Sequence, residues 1–345
     1  MEFFAGANTK NGFYSIFEEV FSDSERLYII KGSCGCGKST LMKKIALRAE
    51  ELGLAAERIF CSGDPDSLDG VIIPERGVAF CDGTAPHVME VKYPCVRESI
   101  WNLGAFHNAE VLLPHRSEII GLTDKKSAHY AAAYRALAAA GKLRSCADSL
   151  VYAALDLPAI NRFAEKTVKK AGGGDGKVRR LFASAFTKNG LKVLPAFGKA
   201  DTLVSIKGPG AAPDVFLRCA AQAAADRGQG CFLSLSATDA ERIDSVYFPG
   251  SGTLFTSLKN PPCAGYNREK IVTLARFADK EICSGVKNRV RLLKKAVDAA
   301  EQQAMAELGY AADAHRRLEK IYISGTDFDA LDDYSERLIG SIGLA

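Results

Sequence analysis

Apolar positions along this chain fall into two textures, and the switches between them predict its elements. Unbroken runs rich in β-branched and aromatic residues, Leu27-Tyr28-Ile29-Ile30, Ala56 to Cys61 and Gly77 to Cys81, read as buried strands. Between the first two, Leu41, Met42, Ile45, Ala46 and Ala49 recur at helical spacing among charged residues, and Gly53 supplies the stop. Strand, helix, strand in that order predicts an α/β fold, a parallel sheet flanked by helices. Further on, Ser127 to Ala140 and Val286 to Ala306 are rich in alanine, lysine and leucine. They predict helical extensions over about residues 97–168 and 268–339.

The turn joining the first strand to the first helix carries the chemistry. Gly32-Ser33-Cys34-Gly35-Cys36-Gly37-Lys38-Ser39-Thr40 fits the phosphate-loop pattern, and it lies between a strand and a helix, as such a loop must. Glycines allow backbone N–H groups to turn inward around an anion, and the helix N-terminus adds its partial positive charge. Lys38 is expected to reach the outer phosphates, and Ser39 to be a ligand of Mg²⁺. Residues 32–40 are therefore the expected ATP-binding segment.

Carboxylates follow at the ends of the next strands. Asp82, closing the run Gly77 to Cys81, suits a second Mg²⁺ ligand, since ligands of a parallel sheet bind at the strands' C-terminal edge. No glutamate follows Asp82, so a base for water activation is sought in Asp64, Asp66 or Glu75. Turn and cap chemistry accounts equally well for Asp64-Pro65-Asp66 and Asp69. His87 reads as a loop histidine with a structural hydrogen bond rather than a phosphate sensor.

The sequence also repeats itself. Phe4-Ala5-Gly6-Ala7-Asn8-Thr9-Lys10-Asn11-Gly12 recurs as Phe182-Ala183-Ser184-Ala185-Phe186-Thr187-Lys188-Asn189-Gly190, Ile30-Lys31-Gly32 as Ile206-Lys207-Gly208, and Asp69 to Pro74 as Asp244 to Pro249. Arg97-Glu98 matches Arg268-Glu269 in the same order. Such a series predicts duplicated domains, 1–175 and 176–345, divided at the glycine-rich stretch Ala171 to Gly176. Aligned without a gap on Gly208, the second loop places Pro213, Asp214 and Val215 against Gly37, Lys38 and Ser39, and Ser257 against Asp82. Proline removes an N–H, aspartate repels phosphate and valine binds no Mg²⁺, so the second loop is expected to be degenerate.

Composition adds boundaries. With 345 residues and a net charge of +4, the chain does not announce a nucleic-acid or membrane-surface protein. The basic segment from Lys287 to Lys295 is balanced by nearby acids and reads as a solvated helix face. The start carries no basic leader and no apolar run approaches a membrane span, from which a cytoplasmic location is expected. Ten scattered cysteines read as buried thiols, although Cys34, Cys36, Cys61 and Cys81 all fall near the expected nucleotide site, where a redox or metal role is a lesser alternative.

The loop, Phe4-Ala5-Gly6 with Thr9, the segment Asp64 to Glu75, and Asp82-Gly83-Thr84-Ala85-Pro86-His87 together resemble a family of bacterial ATPases, common in Firmicutes, with two tandem P-loop halves. The resemblance spans the chain and implies ATP binding with hydrolysis. Family members tend to keep both loops, and this chain departs at Pro213, Asp214 and Val215. The expected activity is a Mg²⁺-dependent ATPase with Lys38, Asp64 and Asp66 as catalytic residues and a protein or small-molecule partner. The alternatives are a kinase for a nucleoside-like small molecule and a non-catalytic nucleotide-gated switch.

Overall fold

The structure is a computed structural model that describes residues 1–171 and 176–344. The stretch Gly172–Asp175, where the sequence marks the repeat boundary, lies outside the described residues. The fold is α/β, with two six-stranded mixed sheets flanked by helices. Among the described residues, no helix is long and apolar enough to cross a membrane.

In the first half, β1 (Arg26–Lys31) leads through the glycine loop into α1 (Lys38–Glu51), followed by β2 (Glu57–Phe60), β3 (Leu68–Ile73), β4 (Val78–Asp82) and β5 (Glu98–Asn102). These strands lie in the order β2-β3-β4-β1-β5. β1 pairs in parallel with β4 and β5, whereas β3 runs antiparallel to both β2 and β4. The expectation of a parallel sheet is corrected here. A parallel neighbour needs a crossover of about a dozen residues. The connections from Phe60 to Leu68 and from Ile73 to Val78 are shorter than that, so the fully buried run Leu68–Ile73 can only return antiparallel.

Two helices follow, α2 (Arg116–Tyr152) and α3 (Leu157–Ala171), and the second half then repeats the plan. Its elements are β6 (Val178–Leu181), β7 (Lys199–Lys207), α4 (Ala212–Ala225), β8 (Cys231–Ser236), β9 (Asp239–Phe248), β10 (Thr253–Thr256), β11 (Gly265–Thr273), α5 (Lys280–Ser324) and α6 (Phe328–Ser341). The second sheet runs β11-β7-β10-β9-β8-β6, so β8-β9-β10-β7-β11 mirrors β2-β3-β4-β1-β5. The two extensions are shorter than expected, because residues 98–102 and 265–273 are strands within the segments expected to be helical.

Register fixes the equivalence of the halves. Gly70 pairs with Cys81 and Ser245 with Thr256, an offset of 175 in both strands. The same offset carries the buried positions of α1, Leu41, Met42, Ile45, Ala46 and Ala49, onto Phe216, Leu217, Ala220, Ala221 and Ala224 of α4. The second loop is thus one residue shorter than the gapless alignment assumes. Gly37, Lys38 and Ser39 correspond to Ala212, Pro213 and Asp214, and the loss of the lysine and the hydroxyl stands.

Two compact units emerge, and they interleave the sequence halves. One comprises Met1, Ser15–Ala133 and Met305–Ala345; the other comprises Glu2–Tyr14 and Tyr134–Ala304. Their boundaries fall inside α2 and α5, not at the repeat boundary near residue 175. The physical reason is the apolar stripe of each terminal helix. Leu331 and Ile339 of α6 are buried in the core that holds Ile30, Met42 and Phe80, whereas Ile160, Ala164 and Val168 of α3 are buried with Phe216, Phe248 and Phe255.

Candidate functional site

The first unit assembles its polar residues where β1 meets α1. Gly35 and Gly37 take left-handed φ angles of 76° and 83°, which curl residues 32–37 back on themselves at no Cβ cost. No side chain caps α1 at Gly37, and the backbone N–H of Lys38 is directed at the Cys36 sulfur. Lys38 Nζ lies 3.0 Å from Gly32 O and 2.7 Å from Ser33 O, donating to both. Its ammonium also stands 3.7 Å from Asp82 Oδ2, both side chains being nearly buried.

Asp82 reaches this point because Ile30 pairs with it across β1 and β4. Its Oδ1 accepts from Thr84 N–H and Thr84 Oγ1. Burial pushes the Asp82 carboxyl above its usual range, Lys38 and Thr84 pull it back, and the charge of Asp69 adds to the upward push. Ser39 Oγ accepts from Leu68 N–H at 2.9 Å, which ties the loop to the start of β3. Thr40 is exposed on α1. Cys36 is buried, and burial drives the thiols of both Cys34 and Cys36 upward despite Lys38, so they are packing thiols at neutral pH.

Asp64 and Asp66 are exposed on the connection between β2 and β3. Asp64 accepts from Ser67 Oγ, as in a turn, and its charge also reaches His315. Glu75 is removed from consideration as a base. It follows β3, whose antiparallel direction delivers residue 75 to the sheet edge opposite the loop, where it accepts from Ala55 N–H. His87 makes the structural contact expected of it, with Nε2 3.1 Å from Asp69 Oδ2 and its ring stacked on Phe17 at 4.5 Å.

Helices far away in sequence complete the site. Ser33 Oγ meets His107 Nε2 at 2.7 Å, and His107 Nδ1 meets Thr326 Oγ1 at 3.0 Å. A Cβ on Gly35 would lie 2.9 Å from Glu319 O and 3.0 Å from Ile323, and one on Gly37 would lie 3.2 Å from Leu331. Lys126 of α2 acts on both Cys34 and His315, so a second cation stands near the loop. Burial holds the imidazoles of His107 and His315 below the usual range, and Lys38 lowers both further. Sequence reasoning missed Lys126, His107, His315, Glu319 and Thr326. His107 lies just beyond β5, and the other four lie on or next to plain helical stretches, where no local pattern sets them apart.

The corresponding place in the second unit is built differently. Asp214 Oδ1 accepts from Ile243 N–H, the counterpart of the Ser39 contact with Leu68. A cavity of about 500 Å³ lies beside it. Its cations are matched: Lys10 with Asp239 and Glu241, Arg144 with Glu301, Arg218 with Asp214, and Arg242 with Asp148. With these charges paired, the cavity offers an incoming anion little attraction.

The first unit thus presents curled amides, a lysine, a hydroxyl and a carboxylate, a set able to take a phosphate chain with a hard cation. Comparison with protein families, characterised proteins and solved structures yields no match for this chain.

Proposed function

We propose that residues 32–40 bind ATP with Mg²⁺ and that the first unit hydrolyses it. The observation carrying this reading is the placement of Lys38: its ammonium rests on two neutral carbonyls of its own loop, with Asp82 at 3.7 Å. A charge so held exchanges carbonyl oxygens for phosphate oxygens with little rearrangement, and the exchange replaces neutral acceptors with ionised ones. The amides of residues 35–38 supply the remaining donors.

The donor set fits the hard cation. Ser39 offers a hydroxyl oxygen, and Asp82 offers a carboxylate whose burial cost a nearby cation would offset. When bound, Mg²⁺ neutralises charge on the phosphates. Asp64 and Asp66, at the exposed mouth, are the carboxylates proposed to orient water, and Lys126, whose charge reaches Cys34 and His315, is proposed to balance developing charge on the outermost phosphate.

A nucleotide-gated switch is a second reading, favoured by one observation. Gly35 and Gly37 pack directly on α5 and α6, so any movement of the loop on binding is felt by those helices. Turnover separates the two, since a switch without catalysis would bind ATP tightly and release phosphate no faster than solution does.

The test is calorimetric binding and phosphate release for the wild type and Lys38→Ala. One nucleotide per chain is expected, with affinity and turnover both lost in the variant. Equal affinity and rate in Lys38→Ala would sink the site, and a second nucleotide would overturn the reading of the Asp214 cavity.

A further inference from the structure

Beside the phosphate loop, three side chains of unlike chemistry converge without a role in that reading. Cys61 follows the last residue of β2, Asp69 lies on β3, and His87 sits in the segment after β4, so adjacent strands bring them together. One sulfur, one carboxylate oxygen and one imidazole nitrogen all lie within 4.8 Å of one another, with Asp69 and His87 buried. His87 Nε2 and Asp69 Oδ2 stand 3.1 Å apart.

We propose that Cys61, Asp69 and His87 form a binding site for a divalent ion of the zinc class. Bond lengths of ~2.0–2.3 Å around a tetrahedral ion place its donors about 3.3–3.8 Å apart, so the existing cluster needs only small side-chain adjustments to close on one. Burial and the charge of Asp69 push the Cys61 thiol well above its usual range, the backbone N–H groups of Asp64 and Gly63 offset only part of that, and a bound cation would offset the rest. Phe17 stacks on the His87 ring at 15°, fixing the imidazole plane. The three donors leave a fourth position for water.

The donor types set the class of ion. A thiolate and an imidazole suit zinc and its neighbours and disfavour Mg²⁺, whereas Ser39 and Asp82 offer oxygen alone. On binding, the sulfur–metal bond replaces the S–H bond of Cys61, whose proton leaves to the buffer, and the imidazole ligates through an unprotonated nitrogen. The ion would fasten β2 to β3 and to the segment after β4, one residue from Leu68, whose N–H holds Ser39. This site does not depend on the nucleotide reading.

The full-length protein, stripped with a chelator, is titrated with Zn²⁺ and, separately, with Co²⁺. Retention of one zinc per chain through gel filtration is expected, along with a tetrahedral cobalt spectrum carrying the thiolate-to-cobalt charge-transfer band. Cys61→Ser should lose that band, His87→Gln should weaken binding at least tenfold, and Lys38→Ala should retain both the ion and the band. Far-UV circular dichroism checks that each variant folds; if Cys61→Ser does not, the wild-type spectrum and His87→Gln decide. Failure of the wild type to retain zinc would overturn the proposal. So would a charge-transfer band that survives in Cys61→Ser, which would place the ion on others of the ten cysteines.

Discussion

Substituting Gly35 by alanine tests whether α5 packs against the glycine loop of residues 32–37, and Gly53→Ala supplies the control. The two glycines share a left-handed backbone, with φ of 76° and 73°. A Cβ at Gly53 meets nothing within 4 Å, whereas one at Gly35 lies 2.9 Å from Glu319 O, a backbone atom that no rotamer change can move. Holding an L-residue in this region costs about 1–2 kcal/mol, and both variants incur that cost. Overpacking a tight contact adds about 1–3 kcal/mol, and only Gly35→Ala incurs it. The expected losses are therefore roughly 1–2 kcal/mol for Gly53→Ala and 2–5 kcal/mol for Gly35→Ala. Equilibrium urea denaturation followed by circular dichroism measures both, with the slopes compared so that a change in midpoint reads as stability. Equal losses within about 0.5 kcal/mol would refute the contact between the loop and Glu319.

Three further outcomes follow from the charges. Asp82→Asn should abolish the Mg²⁺ dependence of ATP binding while making the nucleotide-free protein more stable near neutral pH. The wild-type carboxyl titrates above its usual 3.8 because it is buried, so ionising it as pH rises costs the folded state stability that asparagine keeps; thermal melts across pH check this. His107 and His315 lie below the usual 6.5, so stability present above that value should fall as pH drops beneath it, when only the unfolded chain takes up protons. Replacing both by glutamine should flatten this limb, and an unchanged pH profile would contradict their burial. In the second unit, burial raises Asp244 to about 7, against the help of Ser184 and with the charge of Asp214. Stability should decline from pH 4 to 7 by on the order of a few kcal/mol, and Asp244→Asn should recover most of it; a variant no more stable than wild type at pH 8 would refute the assignment.

Much of the local structure was legible in the residues. The run Leu27 to Ile30, the glycines from 32 to 37 and the stripe Leu41 to Ala49 specify strand, turn and helix through contacts between near neighbours in sequence. The strand β3 was not among those expected from the sequence, and without it the short connections on either side of Leu68–Ile73, which force an antiparallel return, carried no message. The one-residue deletion in the second loop escaped because glycine and proline positions alone suggest a gapless match. The buried stripe of α4 and the hydrogen bond of Asp214 to Ile243 restore the register.

The sequence by itself determined that a glycine-rich turn stands between β1 and α1, that Asp82 belongs at the end of a neighbouring strand, and that the second copy has lost the lysine. These follow from residue chemistry and short-range spacing. It did not determine what surrounds the loop. Helix propensity made α5 and α6 helical, but the sheet that receives an apolar stripe is chosen by shape and buried area among residues hundreds of positions apart. Only the tertiary structure placed Glu319 and Leu331 against a loop beginning at Gly32, Thr326 on the imidazole that meets Ser33, and Cys61, Asp69 and His87 around one point.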